Sequence, residues 1–342
     1  MTGFLSELPL IQAPMAGVQD SALAIAVSQA GGLGSLPCAM LTPQGVAQEV
    51  ATIRAQTSAP FNLNFFCHTL PTPDPQTLAH WQSLFQGFYE EWGLTRDNVV
   101  NGPARLPFDQ TMADLITELK PAVVSFHFGL PAPALLQQVK ASGAKVLSTA
   151  TTVAEARWLE RQGVDAVIAQ GLEAGGHRGM FLTDDLNSQL GTFALLPQVL
   201  EAVSVPVIAA GGIASAQGVK AALDLGATAV QVGTAYLLCH EAKTSAVHRQ
   251  ALCSEGARNT ALTNVFTGRP ARGIVNRLMQ ALGPMSDQTP AFPLATAASA
   301  PLRSRAEAQG LGDFSPLWAG QNTQGCRAVS AGELTRALSA HN

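Results

Sequence analysis

The residues best suited to chemistry stand directly after short apolar runs. The richest stretch is Gln170-Gly171-Leu172-Glu173-Ala174-Gly175-Gly176-His177-Arg178-Gly179, with four glycines and one histidine in ten residues. A segment so rich in glycine can wrap closely round a ligand. An imidazole titrates near neutral pH and suits proton abstraction, which makes His177 the candidate catalytic residue. Ser125-Phe126-His127-Phe128-Gly129 ends another run and offers His127 to the same pocket. The remaining histidines, His68, His80, His240, His248 and His341, fall in helix-like, linker or tail segments and receive no role.

Two more stretches carry a phosphate signature. Pro206-Val207-Ile208-Ala209-Ala210-Gly211-Gly212-Ile213 is followed about twenty residues later by Ala229-Val230-Gln231-Val232-Gly233-Thr234. Glycines there let backbone N–H groups approach an anion, and a following helix start adds its positive end. Tight turns would use the same glycines, but the pairing of the two stretches favours phosphate. Asn64, Gln170 and Gln231 are amides within or at the end of apolar runs. A buried amide needs partners. Neighbouring backbone would serve, and so would a flat ring with mixed donors and acceptors such as a flavin.

Glu173, Asp184 and Asp185 have no His-x-His or Glu-x-x-His spacing beside them, so they read as loop charges and no metal is expected. The cysteines, Cys38, Cys67, Cys239, Cys253 and Cys326, are odd in number and none lies two to four residues from another. That argues against a disulfide framework or zinc site and for a reduced, cytoplasmic setting.

The elements that position these residues alternate regularly. Eight short apolar runs read as strands: Pro9–Gln12, Gly32–Leu36, Phe61–Phe66, Ala122–Phe128, Lys145–Thr149, Ala166–Gln170, Val205–Ala210 and Ala229–Val232. Apolarity at consecutive positions means burial on both faces, as in a parallel sheet. Helices lie between them. Thr152–Gln162 opens on a capping-box pattern with Glu155 and ends at Gly163; Ser215–Leu225 stops at Gly226, and Pro133–Ser142 at Gly143. This alternation predicts an α/β fold, a (β/α)8 TIM barrel over residues 1–240, with a doubly wound open sheet as the competing topology. Residues 69–107 break the repeat as an insertion. Beyond Gly256 the strand signal is lost, and residues 241–342 are expected to form a smaller, mainly helical second domain and a tail over the barrel mouth.

Composition agrees. The 342 residues are 47% hydrophobic and 13% charged, against about 25% charged in ordinary soluble domains. Disorder is excluded by that hydrophobicity. A net charge of −4 argues against a nucleic-acid partner. Ser21–Gln48 and Ala202–Val219 contain no charged residue, yet glycines and prolines interrupt both, so no membrane span is expected. Nor does the N-terminus show a signal peptide. Eight arginines and four acids follow Gly256, a local excess of +4 that suits an anionic substrate.

With these motifs in place, the chain resembles the FMN-dependent nitronate monooxygenases, formerly 2-nitropropane dioxygenases, and their bacterial class I. The likeness runs from Pro9 to about Tyr236, with a weaker part at Leu317-Trp318-Ala319-Gly320-Gln321-Asn322; Glu173-Ala174-Gly175-Gly176-His177-Arg178-Gly179 is its most specific motif. The resemblance implies that Asn64, Gln170, Gly175, Gly212, Gln231, Val232, Gly233 and Thr234 bind FMN. It implies that His177 is the catalytic histidine and that His127 lies near the substrate. The implied reaction is detoxifying oxidation of a nitronate, propionate 3-nitronate in class I, with O2 and single-electron transfer to the flavin. The expected partners are thus a nitronate or nitroalkane and O2, with a homodimer left open. One departure concerns the substrate. Class I leads us to expect a C-terminal lysine for a carboxylated nitronate, but none follows Lys243, which leaves Arg303 or Arg305 as substitutes. The alternative reading is an FMN-dependent reductase using NAD(P)H, of the enoyl-acyl-carrier-protein or quinone type. Aldolase-type barrels are disfavoured, because no lysine stands at a strand end for a Schiff base.

Overall fold

The structure, a computed structural model, describes residues 9–99 and 105–340; His341 lies outside them. Its strands are β1 (Leu10–Gln12), β2 (Gly34–Pro37), β3 (Phe61–Phe66), β4 (Val123–His127), β5 (Lys145–Ala150), β6 (Ala166–Gln170), β7 (Gly176–His177), β8 (Val207–Ala210), β9 (Ala229–Val232), β10 (Thr260–Thr263) and β11 (Ala271–Ile274). The helices are α1 (Ser21–Gln29), α2 (Pro43–Gln56), α3 (Pro75–Ser83), α4 (Gln86–Glu91), α5 (Gln110–Leu119), α6 (Pro133–Ala141) and α7 (Val153–Arg161). They continue with α8 (Thr192–Ala202), α9 (Ala216–Asp224), α10 (Ala246–Leu252), α11 (Arg277–Leu282), α12 (Thr296–Glu307) and α13 (Ala331–Ser339).

Eight strands pair in parallel in the order β1-β9-β8-β6-β5-β4-β3-β2. Neighbours follow chain order, and a parallel bridge between Ile11 and Leu33 brings the two ends together. An open doubly wound sheet reverses its order part way; this one does not, so it is a nearly closed TIM barrel.

Strand parity sorts the side chains. In β6, Ala166, Ile168 and Gln170 face inward, whereas Val167 and Ala169 join the layer beneath the helices. Ile11, Leu33, Val123, Leu147, Ile208 and Ala229 complete the apolar interior. Asn62 fills part of it as well, donating through Nδ2 to Ser35 Oγ at 3.0 Å and Ser125 Oγ at 2.9 Å. Both faces of the barrel strands are therefore covered, which is why the runs look continuously apolar. No helix among the described residues is long and apolar enough to cross a membrane.

The eighth place in the helical ring is filled from the far end of the chain. α13 packs on α1, α9 and β1. The region after Gly256 also differs from its expected helical character, because β10 and β11 pair antiparallel there and β11 pairs with β7. β10 holds two threonines and is only partly buried, and β11 holds Arg272 and Gly273, so neither shows a continuous apolar run.

A separate cluster joins the insertion to this region. Trp81, Phe85 and Tyr89 pack with Phe266, Leu278 and Phe314. Trp81 Nε1 donates to the Ala295 carbonyl at 3.2 Å and Tyr89 Oη to that of Ala298 at 2.6 Å. Neither segment buries its apolar face alone. Trp81 is 1% exposed, so Trp81→Ala is expected to cost about 3–5 kcal/mol in thermal or urea unfolding. A loss below about 1 kcal/mol would mean that the two segments do not depend on each other.

Candidate active site

The barrel strands deliver their C-terminal ends to one cavity with about 1370 Å3 of empty space, its open mouth included. Parity decides what reaches it. Asn64, His127, Gln170 and Gln231 stand at inward positions and line the cavity. His177, Gly175, Gly212, Gly233 and Thr234 line it from the loops. Val232 does not: its side chain is 1% exposed and lies in the layer under the helices. One residue along a strand reverses the face, so Val232 turns its side chain away from the cavity that Gln231 lines.

The loop after β6 is held by buried polar groups. Arg178 is fully buried. Its Nη1 donates to the Gly171 carbonyl and its Nη2 to the Gln170 carbonyl, each at 2.7 Å, and Nε donates to Gln189 Oε1 at 3.0 Å. Burial pushes its guanidinium down to about 10, so it remains charged. Gln170 closes the loop from beneath. Its Nε2 donates to the His177 carbonyl at 3.0 Å and its Oε1 accepts from Gly179 N at 2.8 Å. The Gln170 amide is thus occupied by its own loop.

Glu155 departs from the capping-box expectation. Thr152 Oγ1 does accept from Glu155 N at 3.2 Å. The carboxylate instead accepts from Thr151 N and Oγ1, both at 2.7 Å, and from Phe181 N at 2.6 Å. It is fully buried, and this wider set of donors satisfies it better than the Thr152 amide alone. Glu173 caps α8, its carboxylate accepting from Thr192 N at 2.8 Å and Thr192 Oγ1 at 2.9 Å. No group of acidic, histidine and cysteine side chains among the described residues has the makings of a metal site.

His177 sits among aromatic rings. Phe292, Trp318 and Phe128 lie 5.3, 5.5 and 6.0 Å from it, centroid to centroid. Phe128 has φ +69°, a left-handed conformation that is costly for a bulky residue and frequent near functional sites. His177 Nε2 lies 3.0 Å from Thr267 Oγ1, whose hydroxyl donates to the Arg269 carbonyl at 3.4 Å. Thr267 therefore accepts from Nε2–H, and Nδ1 carries the lone pair. Burial holds the ring well below the ordinary histidine range, with the positive charge of Arg105 next in effect.

His127 is placed differently from a free substrate ligand. A carbonyl only accepts, so its Nε2–H donates to the His177 carbonyl at 3.2 Å, and Nδ1 accepts from Thr149 Oγ1 at 3.1 Å. Burial pushes its pKa down to about 3. Both nitrogens are engaged, and what His127 presents to the cavity is ring surface. Gly179 makes this possible: a Cβ there would lie 2.8 Å from His127 Cε1 and 2.6 Å from Thr149 Cγ2.

The remaining amides and loops keep unused capacity. Asn64 Nδ2 donates to Ser125 Oγ at 2.9 Å. Gln231 Oε1 is buried with no partner. The N–H groups of Gly212, Ile213, Gly233 and Thr234 meet no acceptor among the described residues. Gly212 adopts φ +72°, which turns its amide out of the strand path. Four amides of this kind make an anion nest. The 318–322 segment closes over it: Asn322 Nδ2 donates to the Gly212 carbonyl and Gly320 N to Thr234 Oγ1, both at 2.9 Å. Gly175 lies under this segment, where a Cβ would come within 2.5 Å of Gly320 N. Reading the sequence missed Arg105, Arg178, Thr267 and Trp318. Arg178 had one visible signal, a lone cation inside the glycine loop.

A family model described as nitronate monooxygenase matches residues 1–341. A nitronate monooxygenase of Paraburkholderia phytofirmans is 42% identical over 339 residues, covering 96% of this chain and 91% of its own. One from Pseudomonas aeruginosa is 41% identical over 338 residues, covering 96% and 95%. The solved structure of a nitroalkane oxidase from Streptomyces ansochromogenes superposes with a TM-score of 0.88 at 38% identity, covering 98% of this chain and 95% of that one.

Two outcomes are expected. Arg178→Met leaves two buried carbonyls without donors and should cost about 3 kcal/mol in urea unfolding; a loss under 1 kcal/mol would show that the loop holds without it. The second concerns pH. His127, His68 and His248 are pushed down to about 3, 4 and 4, whereas the unfolded chain binds their protons near pH 6.5. The unfolded state thus binds more protons, so stability is held above about pH 6.5 and lost as pH falls toward 4. His68→Phe should shrink the fall in Tm between pH 7 and pH 5, and an unchanged fall would remove His68 from the account.

Proposed function

The chain belongs to the nitronate monooxygenase family, which makes it an oxidoreductase, and from that membership we propose that it oxidises alkyl nitronates, propionate 3-nitronate among them, using O2 and bound FMN. One juxtaposition carries the proposal: an unpartnered Gln231 amide oxygen, a nest of free N–H groups and a neutral His177 share one cavity. An anionic tail and a ring with mixed donors and acceptors answer both unmet needs. Gly212, Ile213, Gly233 and Thr234 would hold the phosphate through backbone N–H groups. Gln231 and Asn64 would hydrogen-bond the ring, beside Gly175 and the Gln170 end of β6. Bound there, FMN would supply the one-electron acceptor for the nitronate and the reductant for O2.

The chain's own residues do the rest. His177 is neutral at physiological pH because burial disfavours its charged form. For a neutral nitroalkane, Nδ1 accepts the proton of the carbon bearing the nitro group while Thr267 holds Nε2–H. A nitronate has already lost that proton and needs no base. The aromatic wall excludes water, and Arg105 and Arg269 supply positive potential for an anion. His127 fixes the His177 backbone. Five free thiols suit a reducing compartment such as the cytoplasm, where nitronate removal would serve as a detoxification.

The test is direct. Purified protein should show a flavin spectrum and take up O2 with propionate 3-nitronate. A colourless protein that FMN does not reconstitute would overturn the cofactor. NADH oxidation without nitronate oxidation would make it a reductase instead. His177→Asn should lower nitroalkane turnover about a hundredfold or more, and nitronate turnover far less. Equal losses would remove the base role.

A further inference from the structure

The cavity has a second unmet electrostatic demand, away from the phosphate nest. Arg303 and Arg305, the cations first considered for a substrate carboxylate, do not line it. Arg303 pairs with Glu307 at 2.8 Å, and Arg305 is exposed. Arg105 does line it, and among the described lining residues it is the only arginine or lysine. It arrives from the insertion, where Phe108 N donates to the Phe66 carbonyl at 2.8 Å and the Phe108 ring packs on Phe65 and Phe126 at 4.9 and 5.2 Å.

Its surroundings leave the charge unanswered. Nη1 donates to Thr296 Oγ1 at 3.3 Å. No carboxylate among the described residues comes within 4.0 Å. The other arginines near the cavity do not line it and are turned to the protein. Arg178 and Arg272 donate to loop carbonyls; Arg269 donates to the Met180 carbonyl and lies 4.2 Å over the Phe128 ring, with its Nε buried and unpartnered. Among the described residues the one carboxylate on the cavity wall, that of Glu173, is taken up by Thr192. A partly buried guanidinium without a counter-ion is costly, and a bidentate anion resolves that cost.

The anion it awaits is not the cofactor phosphate. Arg105 stands beside β3, and the nest follows β8 and β9. β3 and β8 are four strands apart in either direction round the closed barrel. His177 lines the same cavity, and among the charges around it that of Arg105 acts on it most.

We propose that Arg105 binds the carboxylate of the substrate and so selects nitronates that carry a carboxylate a few carbons from the nitronate group. This rests on the nitronate reading above. The nitronate end lies toward His177 and the carboxylate end toward the insertion.

The experiment compares kcat/KM for propionate 3-nitronate and for propyl-1-nitronate in the wild type, Arg105→Met, Arg105→Lys and Arg303→Met. The wild type should prefer the carboxylated substrate. Arg105→Met should lower that preference about ten- to a hundredfold, mainly through KM, and Arg105→Lys should restore part of it. A preference unchanged within twofold in Arg105→Met overturns the proposal, as does its loss in Arg303→Met. Binding is read separately by calorimetry with 3-nitropropionate and 1-nitropropane, which needs no turnover. Tighter wild-type binding of 3-nitropropionate, abolished in Arg105→Met, supports the carboxylate site even if neither nitronate is oxidised. Equal binding by wild type and variant overturns it even if both are.

Discussion

The site depends on one buried cation. Arg178 points back beneath the loop that carries it and ties the carbonyls of Gln170 and Gly171 to the Gln189 side chain. A desolvated guanidinium is tolerable only while all its donors are matched, so this loop has one acceptable path. Gln170 adds the second tie, bridging the His177 carbonyl and Gly179 N–H. Glu155 fixes the exit at Phe181 and Leu182. Between these anchors His177 has little freedom, although three of the five residues from Gly175 to Gly179 lack a side chain to pack. Glycine gives the loop its reach, and buried charge gives it its shape.

The smaller elements serve the same end. β7 is only two residues long, yet its pairing with β11 carries the His177 backbone into a second sheet. That sheet brings Thr267 and Arg269 to the imidazole. The 318–322 segment lies on Gly175 and closes the phosphate nest. The insertion, packed through Trp81 and Tyr89 on the C-terminal region, delivers Arg105 to the opposite wall. Barrel and additions are thus coupled mechanically at the point where the chemistry occurs.

Electrostatically the cavity is positive but holds its histidines neutral. Burial dominates the depression of His127, His177 and His68, and the arginines add to it. The same field that keeps imidazoles unprotonated attracts an anionic substrate. A low-charge chain concentrates these few cations where solvent screens them least.

Local pattern in the sequence was enough for eight strands, the helices between them and the glycine-rich ends that face the cavity. Parallel-strand burial, N-caps and helix-stopping glycines are decided within a few residues, so they can be read along the chain. The same pattern did not separate Val232 from Gln231, because runs buried on both faces hide their own parity. Nor did it show that the Gln170 amide and both His127 nitrogens are occupied by neighbouring elements. The strands β10 and β11 carry threonine, arginine and glycine among their few apolar residues and so left no apolar run to read. Arg105 and the return of α13 to the ring depend on contacts between segments far apart in sequence. Such contacts are set by packing of the whole chain, which alone decides whether a buried polar atom finds its partner in the protein or waits for a ligand.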